Sequence, residues 1–557
     1  MVASLSNDLV PEQRQEGKQL RPLTRRRFLG FTIAGACTAF LAACGGATNT
    51  PAPAATKSGG AQVIFVSPTS GGASASTVPA AGGATPLASS AATSIPATRT
   101  ALKGKITIGR QPASPLSNGQ DDPGNQIFQT LIDRYVKDHP GVQIEWLRVP
   151  GASFDELTAW VKTRQAAKNV PTLVGSHATT TSSQEATKTS PWISMSPYLD
   201  KPSAYTNKPW KEDFPADALA YIQSSLKELY SVTLTAYKAT YLYNKNLWKK
   251  AGLTEADEPK TWPQFFTILD KLKGAGTIPM ARAGDAFSLS HVYNVTVASI
   301  SRKQWLEMSG GTNFASDQTR FSALCSGKWK MDTDWNRKAA ETTKRLFAYF
   351  PPGSTTLKAA DIEQLFLTQK AVLWQGTPAN QGQTILRRVD EAKAEGLESF
   401  EVGAFPTPQP DAATFGEELA KNAAPIADDG ERGLQYMVAA ADLRQEQDAG
   451  AEAVAIDFLQ WMTTPAIQAE YVKPSYDLPI NPSVKLDDPR LQLFYKNPTQ
   501  LFPTYFYYGN RPDWIPNFQA YLLGQKDIDT YVKDQQAEIL AYAQKVIRES
   551  KLDIACP

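Results

Sequence analysis

IFQTLIDRYVKDHPGVQIEW, residues 127–146, reads as a helix, a tight turn and a strand in one short run. Ile127, Phe128, Leu131, Ile132, Tyr135 and Val136 fall on one side of a 3.6-residue period, so the segment through Asp138 is expected to be an amphipathic helix. His139-Pro140-Gly141 supplies the turn. From Val142 to Val149 the pattern alternates, with Val142, Ile144 and Trp146 on one face, which is the period of a strand. KITIGR (105–110) precedes the helix as a first strand. Beyond it, Ser153 with Glu156 makes a capping box that opens a second helix, and PTLVG (171–175) is a third strand. Strand, helix, strand, helix, strand predicts an α/β fold: a parallel sheet with helices on its faces.

The pattern continues toward the C-terminus. LYSVTLT (229–235) is apolar and β-branched, and AVLWQG (371–376) and LQYMVAA (434–440) have the composition of buried strands. Thr261 is expected to cap a helix with Pro263 in its first turn, and Thr464-Pro465 to open a helix after another over 448–462. A long terminal helix is expected from Asp527 to about Glu549.

The N-terminal hundred residues are of another kind. Arg25, Arg26 and Arg27 stand before the mildly apolar stretch 28–43, which Gly30, Thr32, Gly35 and Thr38 dilute. A bilayer-spanning helix takes about 20 predominantly apolar residues, so residues 1–43 read as a signal peptide. The order Thr24 to Leu29 resembles a twin-arginine export motif, and Leu41-Ala42-Ala43-Cys44 resembles the lipobox of bacterial lipoproteins, in which the cysteine is lipidated. A short uncleaved anchor and ordinary cleavage after an A-x-A-like site are the alternatives. Residues 44–103 are dominated by Ala, Gly, Ser, Thr and Pro, too poor in large apolar groups to offset ordering entropy, and read as a disordered tether. By coil scaling its mean reach is about 40 Å.

The whole chain carries a formal charge of +2, of which the segment 1–43 contributes +3, so the mature chain is nearly neutral. With no basic run interleaved with aromatics, nucleic acid is not an expected partner. Of the four cysteines, Cys37 lies in the signal and Cys44 at the lipobox. Cys325 and Cys556 are a candidate disulfide outside the cytoplasm; two separate thiols are the other reading.

Four stretches give the chain a family resemblance: 127–146, LYSVTLTAYKATYLYNKNLWKKAGL (229–253) with its Tyr243-Asn244-Lys245, TWPQFFTILDKLKGAG (261–276), and AIDFLQWMTTPAIQAEYV (455–472). In order and spacing the chain resembles the family 1 extracellular solute-binding proteins, the sugar-binding lipoproteins of ABC importers. The resemblance implies a two-lobe, periplasmic-binding-protein-like (type II) fold with an interlobe cleft and hinge strands. The N-terminal lobe would comprise 104–232 plus 430–478, and the C-terminal lobe 236–428 plus 479–557. Crossings are expected near 233–236, 428–430 and 478–480. The implied protein is a monomer on the outer face of the cytoplasmic membrane, lipid-anchored, which delivers a small solute to an ABC permease. A receptor of the same fold serving a sensor, or binding a polyamine or sugar phosphate, is the alternative.

Sugars offer hydroxyls on their rims and apolar C–H faces, so a site for them needs flat aromatics with planar polar groups at strand ends. The candidates are Arg110 and Gln111 after the first strand, Ser176 and His177 after the third, and Tyr237 after a crossing strand. Phe287 and His291 in AFSLSH, and Trp374 and Gln375 in AVLWQG, are the candidates from the second lobe. Many relatives place an aromatic just after Gly376, where this chain has Thr377-Pro378-Ala379-Asn380. FPTYFYYGNRPDWIPNF (502–518) is dense in aromatics, and Tyr505, Tyr507 and Trp514 complete the set, with Trp514 at the position the resemblance implies for a stacking ring. The folded part contains no H-E-x-x-H, C-x-x-C, P-loop or G-x-S-x-G motif, so no enzyme activity, cofactor or metal is expected.

Overall fold

A computed structural model describes residues 102–110, 123–149, 154–176, 191–216, 218–219, 228–236, 240–309, 311, 317–375, 382–425, 435–496 and 515–557. Of the leader and tether expected over 1–103, residues 1–101, Cys44 among them, lie outside the described residues.

Two sheets organise the chain. The first contains β1 (Gly104–Arg110), β2 (Val142–Arg148), β3 (Leu173–Ser176), β4 (Val232–Thr233) and, from much later in sequence, β10 (Gln435–Val438), in the order β2-β1-β3-β10-β4. The helix Pro123–Asp138 forms as its period predicts, burying Phe128, Leu131, Ile132 and Tyr135. β1 runs parallel to both β2 and β3. The expectation of a wholly parallel sheet fails at β10, which is antiparallel to β3 and to β4. β10 follows the chain's excursion through the second sheet and enters the first from the opposite end, so a βαβ rule derived from 104–176 does not apply to it.

The second sheet is also mixed. β6 (Tyr241–Asn244), β7 (Ile278–Ala281), β8 (Ala371–Trp374) and β9 (Val402–Phe405) lie in the order β7-β8-β6-β9. β7 and β8 are parallel, and β6 is antiparallel to β8 and β9. The helix Trp262–Gly274 begins at Thr261, which with Gln264 completes a capping box. Thr464 precedes the helix Pro465–Ser475 as expected, but its hydroxyl donates back to the Trp461 carbonyl at 2.8 Å instead of capping. The terminal helix, Ile528–Ser550, has Asp527 at its N-cap.

A two-stranded antiparallel ribbon of β5 (Thr235–Ala236) and β11 (Leu478–Pro479), with Leu478 opposite Ala236 and Pro479 opposite Thr235, stands on the chain's path from β4 of the first sheet to β6 of the second. The segment 229–235 therefore does not form one strand: Val232–Thr233 stay in the first sheet, Leu234 breaks the ladder, and Thr235 enters the ribbon. One buried core spans both sheets, with Ile106, Leu173 and Val438 from the first, Leu242, Trp374 and Val402 from the second, and Leu478 and Ile480 from the ribbon's exit.

Each sheet pairs a glycine with a tyrosine across neighbouring strands. A Cβ on Gly175 would lie 2.6 Å from the Tyr436 ring, and Gly403 leaves equivalent room for Tyr243. The Tyr436 ring stacks on Phe128 at a centroid distance of 6.1 Å, so a side chain at 175 would unseat the contact between the first sheet and its first helix. Cys325 and Cys556 form a disulfide that ties the C-terminal tail to the helix Asp317–Cys325.

Candidate functional site

Polar side chains collect where the strands end. In the second sheet, β7 stops at Ala281, and the next residue, Arg282, is fully buried with 1% exposure. Ala281 pairs with Trp374 at the end of β8, and Gln375 follows, buried as well. Arg282 Nη1 donates to Gln375 Oε1, and Nη2 donates to the Ser288 carbonyl at 2.8 Å. Ser288 N–H in turn donates to Asp285 Oδ1 at 2.7 Å, capping the helix Ala286–Ile300. Gln519 Nε2 donates to the Gly284 carbonyl at 2.7 Å, which fastens the helix Ile515–Leu522 to the same turn.

A guanidinium offers five donors in a rigid fork, and burial is tolerated only where acceptors meet them. Here the fork fixes the amide of Gln375 at the carboxyl end of β8. In open α/β sheets, ligands lie beyond such strand ends. Groups held this way recognise oxygen-rich solutes through directional hydrogen bonds.

In the first sheet, Arg110 ends β1 opposite Arg148 and Gly175, and Ser176 ends β3. Register continues from Ser176 to Gln435 and from Gln435 to Thr233, so one rung joins three strands next to the ribbon. Phe287 and His291 stand four residues apart in the helix Ala286–Ile300. Trp374 is a core residue with 4% exposure, enclosed by protein on its strand. Gln111, His177, Tyr237, Tyr505, Tyr507 and Trp514 lie outside the described residues; the helix Ile515–Leu522 starts one residue after Trp514.

Sequence reading missed Arg282, Thr233 and Gln435. For Arg282 a signal was present: in IPMARAGD a charged residue directly follows a short apolar strand and precedes a Gly-Asp turn. Nothing local marks Gln435, whose place depends on a partner strand some 200 residues earlier in sequence.

Beside the ribbon, the Tyr476 hydroxyl donates to Asp390 Oδ2 at 2.8 Å, and Arg490 grips both Asp390 oxygens at 2.8 and 2.7 Å. Tyr476 ends the helix Pro465–Ser475 in a left-handed conformation two residues before β11, whereas Asp390 lies on the helix Gly382–Ala394. The Arg490 fork holds the Asp390 carboxyl below the usual carboxylate range, and burial together with Asp390 pushes the Tyr476 phenol up.

Among the described residues, no group of three or more His, Cys, Asp or Glu side chains is placed to hold a metal ion. No helix among them is long and apolar enough to cross a membrane.

A family model for bacterial extracellular solute-binding proteins matches residues 119–469, well over half of the chain. The chain belongs to the bacterial extracellular solute-binding protein family. It is similar to the multiple sugar-binding protein of Streptococcus mutans, with 23% identity over 198 residues, 35% of this chain and 40% of that one. A shorter likeness, 33% over 66 residues, joins it to the sn-glycerol-3-phosphate-binding periplasmic protein of Agrobacterium fabrum, covering 12% of this chain and 15% of that one. The chain thus spans less than half the length of these curated relatives. Among solved structures it is similar to the apo form of RafE from Streptococcus pneumoniae, with a TM-score of 0.54 at 17% identity, covering 78% of this chain and 97% of that chain. RafE in complex with raffinose superposes with a TM-score of 0.52, also at 17% identity, over 78% and 98% of the two chains. At that identity the likeness is one of fold, and the fold is the two-lobe, periplasmic-binding-protein-like type II architecture.

Proposed function

We propose that this member of the family captures a small carbohydrate between its two sheets and hands it to an ABC permease. The observation that carries this reading is that both sheets, joined through the β5–β11 ribbon, bury polar side chains at their strand ends: the hydrogen-bonded Arg282 and Gln375 in the second sheet, and Gln435 and Thr233 in the first. A ribbon of two short strands is the kind of joint about which two lobes close on a ligand. The names of the multiple sugar-binding protein and of the raffinose complex support a sugar. In this reading the lobes divide as 104–232 plus 430–478 and 236–428 plus 479–557. Arg110, Gln111, Ser176, His177, Tyr237, Phe287, His291, Trp374, Gln375, Tyr505, Tyr507 and Trp514 contribute contacts. Export by the twin-arginine signal, lipidation of Cys44 and a flexible tether would hold a monomeric receptor at the outer face of the cytoplasmic membrane. The buried Arg282 guanidinium, with the likeness to a glycerol phosphate receptor, favours a sugar phosphate as the second reading.

A thermal-shift panel of raffinose, galactose and sn-glycerol 3-phosphate tests the choice. A ligand at 100 times its Kd stabilises by about 2.7 kcal/mol. A shift with either neutral sugar supports the first reading, a shift with the phosphate alone supports the second, and no shift with any counts against both.

A further inference from the structure

The edge of the first sheet beside the ribbon collects buried polar side chains. Ser231, Thr233, Thr235 and Gln435 are all buried, none more than 2% exposed. Thr233 and Gln435 are register partners, so their side chains leave the sheet on the same face. Ser231 Oγ donates to Gln435 Oε1 at 3.0 Å. That leaves Gln435 Nε2 and Thr233 Oγ1, which are buried yet have no hydrogen-bond partner among the described residues. The next rung on the same face, Met437 opposite Val174, is apolar. Packing alone would be served at 233 by valine, which has the same shape. A buried polar atom left unpaired costs stability, so two on one rung need an account.

We infer that Thr233 and Gln435 are specificity-determining contacts that read a hydroxyl of a neutral solute; the inference rests on the solute-capture reading above. The amide N–H of Gln435 can only donate, and the hydroxyl of Thr233 can donate or accept. A sugar hydroxyl, itself donor and acceptor, satisfies both at once. Neither residue carries charge, so the pair gives no electrostatic return to a phosphate or an ammonium. Leu234 alone separates Thr233 from the ribbon, so a rotation of the sheets about β5 and β11 changes what covers the rung.

The test uses Thr233→Val and Thr233→Ser in the full chain, with raffinose, galactose and sn-glycerol 3-phosphate as probes. Without ligand, Thr233→Val is expected to melt at or above the wild-type temperature, because a methyl replaces an unpaired hydroxyl. With the sugar that shifts wild type, Thr233→Val is expected to raise Kd about 5- to 10-fold, and Thr233→Ser to recover most of the affinity. A lower melting temperature with unchanged Kd makes Thr233 a packing residue and overturns the inference. A raised melting temperature with unchanged Kd also overturns it. Wild type that answers to the phosphate alone overturns the assignment to a neutral solute. If no probe shifts wild type, it is the carbohydrate reading that fails; the ligand-free melting of Thr233→Val then still judges the rung, and a fall counts against it.

Discussion

Replacing Asp213 by asparagine should stabilise the protein, and more so at pH 8 than at pH 5. Asp213 ends the short turn Trp210–Asp213 and is 6% exposed. Its Oδ1 accepts from Asn481 Nδ2 at 3.2 Å, while Oδ2 is buried without a partner among the described residues. Asn481 comes two residues after β11, and its amide also donates to the Thr463 carbonyl at 2.8 Å. Burial pushes the Asp213 carboxyl up from the ordinary 3.8 to about 6, against the pull of Asn481, Thr463 and Lys208 and with a smaller push from Glu212. That rise corresponds to about 3 kcal/mol. The folded carboxyl holds its proton more tightly than the unfolded one, so stability falls as pH rises from 3.8 through 6 and the full penalty applies above that. About 1.5 kcal/mol of it accrues between pH 5 and pH 8. An asparagine in its place would keep an oxygen for Asn481 and carry no charge. Urea unfolding of wild type and Asp213→Asn at both pH values gives the difference directly, and other titrating groups cancel in it. A difference that grows by about 1–2 kcal/mol from pH 5 to pH 8 is expected. A difference independent of pH, or a variant less stable at pH 8, would refute the reasoning.

Three further outcomes follow from the packing. Gly175→Ala drives a methyl into the Tyr436 ring and should cost about 1–3 kcal/mol, read as a fall in melting temperature; an unchanged value would mean the ring moves freely. Tyr476→Phe removes the hydroxyl bonded to Asp390 and should cost about 1 kcal/mol in urea unfolding, whereas no loss would show that the link contributes nothing. Alkylation of the denatured, unreduced chain should leave Cys325 and Cys556 unmodified, and Cys325→Ala should lower stability by about 2–4 kcal/mol, since the bond closes a loop with a sequence separation of 231. Free thiols at both positions would contradict the bond.

Local periodicity made much of this fold legible. The helix Pro123–Asp138, strands β1 and β2 and the Thr261 cap lie where their patterns put them, because each depends on residues within one or two turns. What the pattern could not carry was direction. β10 has the composition of a buried strand, yet whether it runs with or against β3 depends on the route taken by the preceding residues, which no window sees. The same limit explains the site. Gln375 was visible as the residue after a buried strand, but its partner Arg282 lies 93 positions away in sequence. Thr233 looked like any β-branched strand residue until register placed it against Gln435. Trp374 illustrates a further difficulty: an aromatic at a strand end serves equally as core or as a stacking face, and Trp374 and the neighbouring Gln375 are equally buried.

The most direct test of the central claim is a calorimetric titration of the purified protein with raffinose, with galactose and with sn-glycerol 3-phosphate. Saturable, one-to-one heat with a neutral sugar and none with the phosphate is expected. Heat with the phosphate alone, or none with any of the three while the protein remains folded, would contradict the claim.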